Sequence, residues 1–335
     1  MSAASHAVVS EGTPAIVTLT MNPALDVSAT TDRVVPEHKL RCGPARFDAG
    51  GGGVNVSRAV RNLGGHSLAV YPLGGLNGET YRAHAAAAEI SSAVIPIAGE
   101  TRESFTFSDR STGEQYRFVL PGPTLSEDEW RACLATVRAR LPRGGYLVAS
   151  GSLPPGAPED FYARLARLAA DEDVRLIVDA SGRPLEHALA EGVFLIKPSR
   201  NELAQLVHAD GELGPEEQLD AVTALVSAGR AQVVALSLGA AGALLVSSTG
   251  ILRSTSPAVP VVSAVGAGDA FLAGLVLRLA QGRSLDEAFR TAVAAGSATT
   301  TMPGTELCRR ADVERLEALL PSEGGMTWRS TSTRP

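Results

Sequence analysis

A chain of 335 residues is long enough for one large α/β domain or two ordinary ones, and its 44% hydrophobic residues can fill a core without disulfide staples. A formal charge of −6 with no dense run of Lys or Arg argues against nucleic acid and against an anionic membrane surface, so any anionic ligand must be caught locally. The cysteines Cys42, Cys133 and Cys308 are far apart and lack metal-ligand spacing, which argues for free thiols in a reducing compartment. With no signal-peptide pattern and no apolar run of about 18 residues, the chain reads as cytoplasmic.

Residues 1–13 and 321–335 are polar and aperiodic and read as flexible tails. Between them "AIVTLT" (15–20) is a first strand, followed by a β-rich, helix-free stretch at 26–48. The glycine run of "FDAGGGGVNVSRAVRNLGG" (47–65) opens a helical pattern, and "SLAVYPLG" (67–74) returns to strand. A second helix-free stretch (103–122) contains "DRSTGEQ", a hairpin turn between "SFTFS" and "YRFVL". Strands "YLVAS" (146–150), "RLIVDA" (175–180), "FLIKP" (194–198) and "VVALSLG" (233–239) then alternate with amphipathic helices. Such alternation predicts a mostly parallel sheet covered by helices on both faces: one main α/β domain over 14–320. The helix-free stretches at about 26–48 and 103–122 are expected to form one small β lid.

Several stretches combine turn-permissive residues with chemistry. Glycines 51–53 of the glycine run leave backbone bare at a helix start, where N–H groups bind polar oxygens, and Asn55 adds a side chain that both donates and accepts. No Lys follows, so this is not a P-loop. In "TMNPALD" (20–26) Asp26 follows a strand end, where ligands of parallel sheets bind, and reads as a ligand contact or as a turn residue satisfying its own backbone. Ser152 in "SGSLPPG" (150–156) reads as a ligand contact or a turn residue, and Lys197 and Glu202 in "LIKPSRNEL" (195–203) as a solvated pair if taken alone. In "SAVGAGDAFLAG" (263–274) Gly266, Ala267 and Gly268 present unobstructed N–H groups at the positive end of a helix dipole. Asp269 beside that anion hole is suited to accept a hydroxyl proton while the hole holds phosphoryl charge.

In this order the motifs resemble the ribokinase-like sugar kinases, the PfkB family, from about residue 14 to 320. "VGAGDAFLAG" is similar to the family's C-terminal signature and "DAGGGGVNVSRAVRNLGG" to its N-terminal one. The likeness is greatest to the branch acting on ketohexose phosphates, and "TGEQYRFVLPGP" and "AAGSATTTMPGTELC" are similar to its minor 6-phosphofructokinase type. The resemblance implies a ribokinase-like αβα sandwich and an ATP- and Mg²⁺-dependent kinase taking fructose 6-phosphate to fructose 1,6-bisphosphate. Tagatose 6-phosphate and fructose 1-phosphate are the rival substrates, and a catalytically weak sugar-phosphate binder is the rival class.

The resemblance also implies roles. Asp269 is the base and Gly266, Ala267 and Gly268 the anion hole. Asp26, Gly51, Gly52, Gly53 and Asn55 bind sugar hydroxyls, while Lys39, Arg102 and Ser152 surround the sugar phosphate. Lys197, Ser199, Ser237, Gly239, Gly242 and Ser297 bind ATP, and Glu202 orders Mg²⁺ through water. A K⁺ site of backbone carbonyls matches Ser263, Val265 and Gly304, with Met302 and Glu306 leaving it open. The family's Asn-x-x-Glu reads "SRNE" here: Ser199 replaces Asn, keeping a hydroxyl but losing the amide's reach, which implies weaker or rerouted metal coordination, and Asn201, a candidate substitute, has the wrong spacing for a direct replacement. Phe105, Phe107, Tyr116, Phe118 and Val119 on the lid strands predict a homodimer joined through the lid.

Overall fold

The structure is a computed structural model describing residues 16–141 and 143–320; the expected tails at 1–13 and 321–335 lie outside these residues. β1 (Ile16–Leu19) is wholly buried, as a strand covered on both faces must be. The chain leaves the main sheet through β2 (Ala24–Thr31) and β3 (Arg46–Gly50), then passes through α1 (Gly52–Asn62), β4 (Leu68–Leu73), α2 (Gly75–Ala87) and β5 (Ser92–Pro96). It leaves again through β6 (Arg102–Asp109) and β7 (Gln115–Val119). Regular alternation follows: α3 (Glu127–Arg138), β8 (Tyr146–Ser150), α4 (Phe161–Asp171), β9 (Arg175–Asp179), α5 (Gly182–Glu191) and β10 (Val193–Ile196). Next come α6 (Arg200–Leu206), α7 (Pro215–Ser227), β11 (Ala231–Ser237), β12 (Ala243–Ser247) and β13 (Gly250–Ser254). Three helices close the chain: α8 (Ala267–Ala280), α9 (Leu285–Thr300) and α10 (Arg310–Leu319).

Nine strands form the main sheet in the order β13-β12-β11-β10-β9-β8-β1-β4-β5. All pairings are parallel except the β11–β12 and β12–β13 hairpins at one edge. Successive residues serve opposite faces. Ile16, Tyr146 and Val148 join α1, α8, α9 and α10 in one core layer, whereas Val17, Leu147 and Ala149 join α3, α4 and α5 in the other. The chain winds outward both ways from β1, so the crevice for a ligand lies at the carboxyl ends of β1 and its neighbours. β5, not expected from sequence, is a half-exposed edge strand ending in proline, which an edge tolerates.

α8 is buried around most of its circumference, and it packs against α9 with Gly274 at the crossing. A Cβ there would lie 3.0 Å from the Thr291 carbonyl, so the residue lets the two helices approach.

β2, β3, β6 and β7 form a second, four-stranded sheet in the order β3-β2-β6-β7. β2 pairs in parallel with β6, bringing Asp26 opposite Ser104, and the two outer pairings are antiparallel. The two helix-free stretches thus meet in one sheet. The turn between β6 and β7 is closed by Asp109, whose carboxylate accepts the Ser111 N–H (2.7 Å), with Gly113 in the left-handed region (φ 76°).

Cys42 is exposed and Cys133 and Cys308 are buried, all three as free thiols. Among the described residues no helix is long and apolar enough to cross a membrane.

Candidate active site

Two adjoining cavities open at the carboxyl ends of the central strands. The larger, about 740 Å³, is lined from β8 by Ser150–Ser152, from β9 by Asp179, and beyond β10 by Lys197 and Glu202. The smaller, about 190 Å³, lies under the second sheet and is lined by Asp26, Gly51, Asn55 and Arg102, among others. Gly52, Arg117, Gly266 and Asp269 line both. Asp269 therefore stands where the contents of the two cavities would meet.

α8 begins at Gly266, which takes the left-handed conformation (φ 76°) that a side chain would resist, and a Cβ there would also strike Leu307. The Ala267 N–H folds back on the Ala264 carbonyl (3.3 Å), which leaves the expected anion hole with the next N–H groups of the first turn. Gly268 presents bare backbone to Lys197: a Cβ there would sit 3.1 Å from the ammonium. Lys197 Nζ lies 3.2 Å from the Asp179 carboxylate. Burial works against the ammonium, but Asp179, Asp269 and Glu202 outweigh it and hold the Lys197 pKa above its ordinary value. Burial, with the Asp179 carboxylate second, pushes Asp269 up from 3.8 to about 7; the Asn55 amide and Lys197 pull the other way. Asn55 Nδ2 donates to Asp269 Oδ2 at 2.9 Å.

On the other side, burial raises Asp26 to about 6 against the opposing charges of Arg58, Arg102 and Arg117. Its carboxylate occupies the space a side chain on Gly50 would need. Arg102 donates to the carbonyls of Asn22 (2.9 Å) and Leu120 (3.1 Å), which fixes its guanidinium at the mouth of the smaller cavity. Asn22 Nδ2 in turn donates to the Ser152 hydroxyl (3.1 Å), leaving the buried Asn22 Oδ1 without a partner.

The glycines divide by what they meet. Gly51 is the residue before α1 (φ 117°), and a Cβ on Gly52 would land on the Ser150 hydroxyl. Gly53 is pressed against β1, 2.6 Å from the Leu19 carbonyl to a hypothetical Cβ, and lines neither cavity. Its bareness serves helix–strand packing.

Ser199 caps α6: it accepts the Glu202 N–H (3.3 Å) while Glu202 Oε2 accepts the Ser199 N–H (2.8 Å). Ser199 thus caps α6 and fixes Glu202, whereas Asn201 is exposed and lines neither cavity. Ser237, at the end of β11, bridges to Ser199, and Gly239 opens the short turn after it with free space around its Cα. Gly242 is required by its turn, φ 106° with a Cβ colliding with the Ser254 carbonyl. Ser297 is buried on α9. None of these four lines either cavity, nor does Lys39, which is exposed between β2 and β3. Ser263, Val265 and Gly304 do come together: the Ser263 hydroxyl donates to the Gly304 carbonyl (2.9 Å) and accepts the Val265 N–H (3.2 Å).

Sequence reasoning missed three groups. Asp179 ends β9, so it carries the strand-end signal that the sequence reading attached to Asp26, which itself lies inside β2. Arg117 lies on a strand already predicted, beside the aromatic residues. Arg58 and Asp48 form an ion pair (3.2 Å) behind Asn55, and no local pattern marks it.

A model of the pfkB family carbohydrate kinases matches residues 16–312. This chain belongs to that family. It is an ATP-dependent sugar kinase with the ribokinase-like fold. It is 46% identical over 317 residues to the ATP-dependent 6-phosphofructokinase isozyme 2 of Mycobacterium tuberculosis, covering 94% of this chain and 93% of the relative. The Escherichia coli enzyme of the same name is 40% identical over 91% of this chain and 98% of its own. A crystal structure of Escherichia coli phosphofructokinase-2 in complex with potassium superposes with a TM-score of 0.88 over 91% of this chain and 99% of that one. A 1-phosphofructokinase from Borreliella burgdorferi is more distant, 33% identical over 90% of this chain and 96% of its own.

Proposed function

We propose that this kinase transfers the terminal phosphoryl group of ATP to the C1 hydroxyl of fructose 6-phosphate, giving fructose 1,6-bisphosphate and ADP, a step of glycolysis. The observation that carries this reading is Asp269, a half-buried carboxylate at the meeting point of the two cavities, its pKa held at about 7. A base poised near neutral pH takes the hydroxyl proton as the new P–O bond forms, and the first-turn N–H groups of α8 hold the phosphoryl charge. Lys197, kept charged by Asp179, adds a cation on the same side. Asp26 and Asn55 orient sugar hydroxyls, and Arg102 and Arg117 supply cations for the sugar phosphate. The higher identity to 6-phosphofructokinases than to the 1-phosphofructokinase supports the choice of substrate.

The carboxylates of Asp179 and Glu202, both on the larger cavity, fit a magnesium ion held mainly through water and substrate phosphates. Bound there, magnesium neutralises phosphate charge. Ser263, Val265 and Gly304 are the candidates for a potassium site, a reading supported by the potassium complex of the Escherichia coli relative. We assign the kinase domain to residues 14–320, with the second sheet as a lid carrying Arg102 and Arg117 over the sugar. Phe47, Phe118 and Val119 leave apolar surface exposed on that sheet, which supports a cytoplasmic homodimer joined through it; a monomeric mass by light scattering would refute the dimer. The substrate is tested by coupled ADP release across fructose 6-phosphate, tagatose 6-phosphate and fructose 1-phosphate. The highest kcat/KM is expected for fructose 6-phosphate, and an equal or higher value for either other sugar overturns the assignment.

A further inference from the structure

A third cavity, about 570 Å³, lies outside the reaction site and carries unusual charge for an acidic protein: Arg46, Arg58, Arg61, Arg309 and Arg310 line it with a single carboxylate, Glu306. Their counter-ions stand largely behind them. Asp48 pairs with Arg46 (2.8 Å) and Arg58 (3.2 Å), Glu89 with Arg61, and Glu314 with Arg310 (2.7 Å), and none of these three carboxylates lines the cavity. Glu306 is shared between Arg46 and Arg309. Each guanidinium has five N–H donors and a carboxylate engages two at most, so donors remain for a further anion. No aromatic side chain lines the space, which disfavours a nucleobase and favours a compact anion.

The cavity is joined to the reaction site by one side chain. Arg58 Nη1 donates to Asn55 Oδ1 (3.2 Å), and the same Asn55 amide donates to Asp269 (2.9 Å). Arg46 comes from β3 of the small sheet, whereas Arg58 and Arg61 lie on α1 and Arg309 and Arg310 stand at the start of α10.

We propose that this arginine cavity is a regulatory site for a compact polyanion bearing two phosphoryl groups, and that its occupancy weakens sugar-phosphate binding by drawing Arg58 away from Asn55. By linkage, sugar phosphate weakens binding of the polyanion by the same factor.

The probe is inorganic pyrophosphate. Calorimetry is done on wild type saturated with fructose 6-phosphate and a non-hydrolysable ATP analogue, so that the reaction site is blocked, and on wild type without them. Pyrophosphate is expected to bind the blocked protein at one site, and to raise the KM for the sugar phosphate about fivefold or more in turnover assays. The Arg61→Gln/Arg309→Gln variant, altered only at exposed cavity side chains, is expected to keep basal kcat and KM and lose both effects. No binding at millimolar pyrophosphate, binding retained by the variant, or binding with an unchanged KM each overturns the proposal. Because the binding arm does not depend on turnover, it separates from a failure of the substrate assignment.

Discussion

Replacing Asp269 by Asn removes the proposed base while preserving its shape and its contact with Asn55. Loss of a positioned general base lowers kcat by about 10²–10⁴-fold, so Asp269→Asn is expected to fall in that range while sugar-phosphate binding persists. The same substitution has a second consequence in the opposite direction. Burial holds the Asp269 carboxyl at about 7 instead of 3.8, so at pH 8 the folded protein carries a cost of ionising it of about 4 kcal/mol, taken as an upper bound. The sign follows from the direction of the shift: a carboxyl raised on folding favours the native state when protonated, and that advantage is lost as pH rises through the native value. An amide carries no such cost, so the unliganded variant is expected to have a higher Tm than wild type at pH 8, and the difference is expected to shrink towards pH 5. Steady-state ADP release, sugar-phosphate calorimetry and thermal melts across pH 5–8 measure all three quantities. Turnover within tenfold of wild type would refute Asp269 as the base, and a lower Tm at pH 8 would refute the account of its ionisation.

In wild type, kcat/KM is expected to fall about tenfold for each pH unit below 7 as Asp269 takes up its proton, measured by the pH profile of the coupled assay. Asn55→Ala removes a hydrogen bond that lowers the Asp269 pKa, so the acid limb of that profile is expected to move to higher pH; an unmoved limb at reduced activity would leave Asn55 a substrate contact alone. Lys197→Met strands Asp179 in the interior and is expected to cost about 3–5 kcal/mol by denaturant unfolding, together with a raised KM for ATP. Gly52→Ala places a methyl on the Ser150 hydroxyl and is expected to destabilise by about 1–3 kcal/mol, whereas Ala at Gly239, in open space, costs only its left-handed backbone.

Ser199 and Glu202 show how a local signal can be legible and still be overlooked. Their Ser-x-x-Glu spacing is itself a capping box, and it fixes Glu202 at the start of α6. The parallel β/α alternation and the two helix-free stretches were open to sequence, because period and turn residues are properties of neighbouring residues. So was the start of α8, where three small residues precede Asp269. Asp26, expected just beyond the end of the first strand, lies instead inside β2 of the small sheet. What tertiary structure alone decided is which of these ends face one another. It brought Asp179 against Lys197, set Arg58 behind Asn55, turned Gly53 towards β1, and left Lys39 away from both cavities of its own chain. It also put Asp48 in reach of Thr305 at 2.6 Å across 257 residues of chain. Charges and hydrogen bonds act over a few ångströms of space whatever the sequence separation. The pKa of Asp269, on which the proposed chemistry rests, is therefore a property of the burial and carboxylates gathered around it, and no motif carries it.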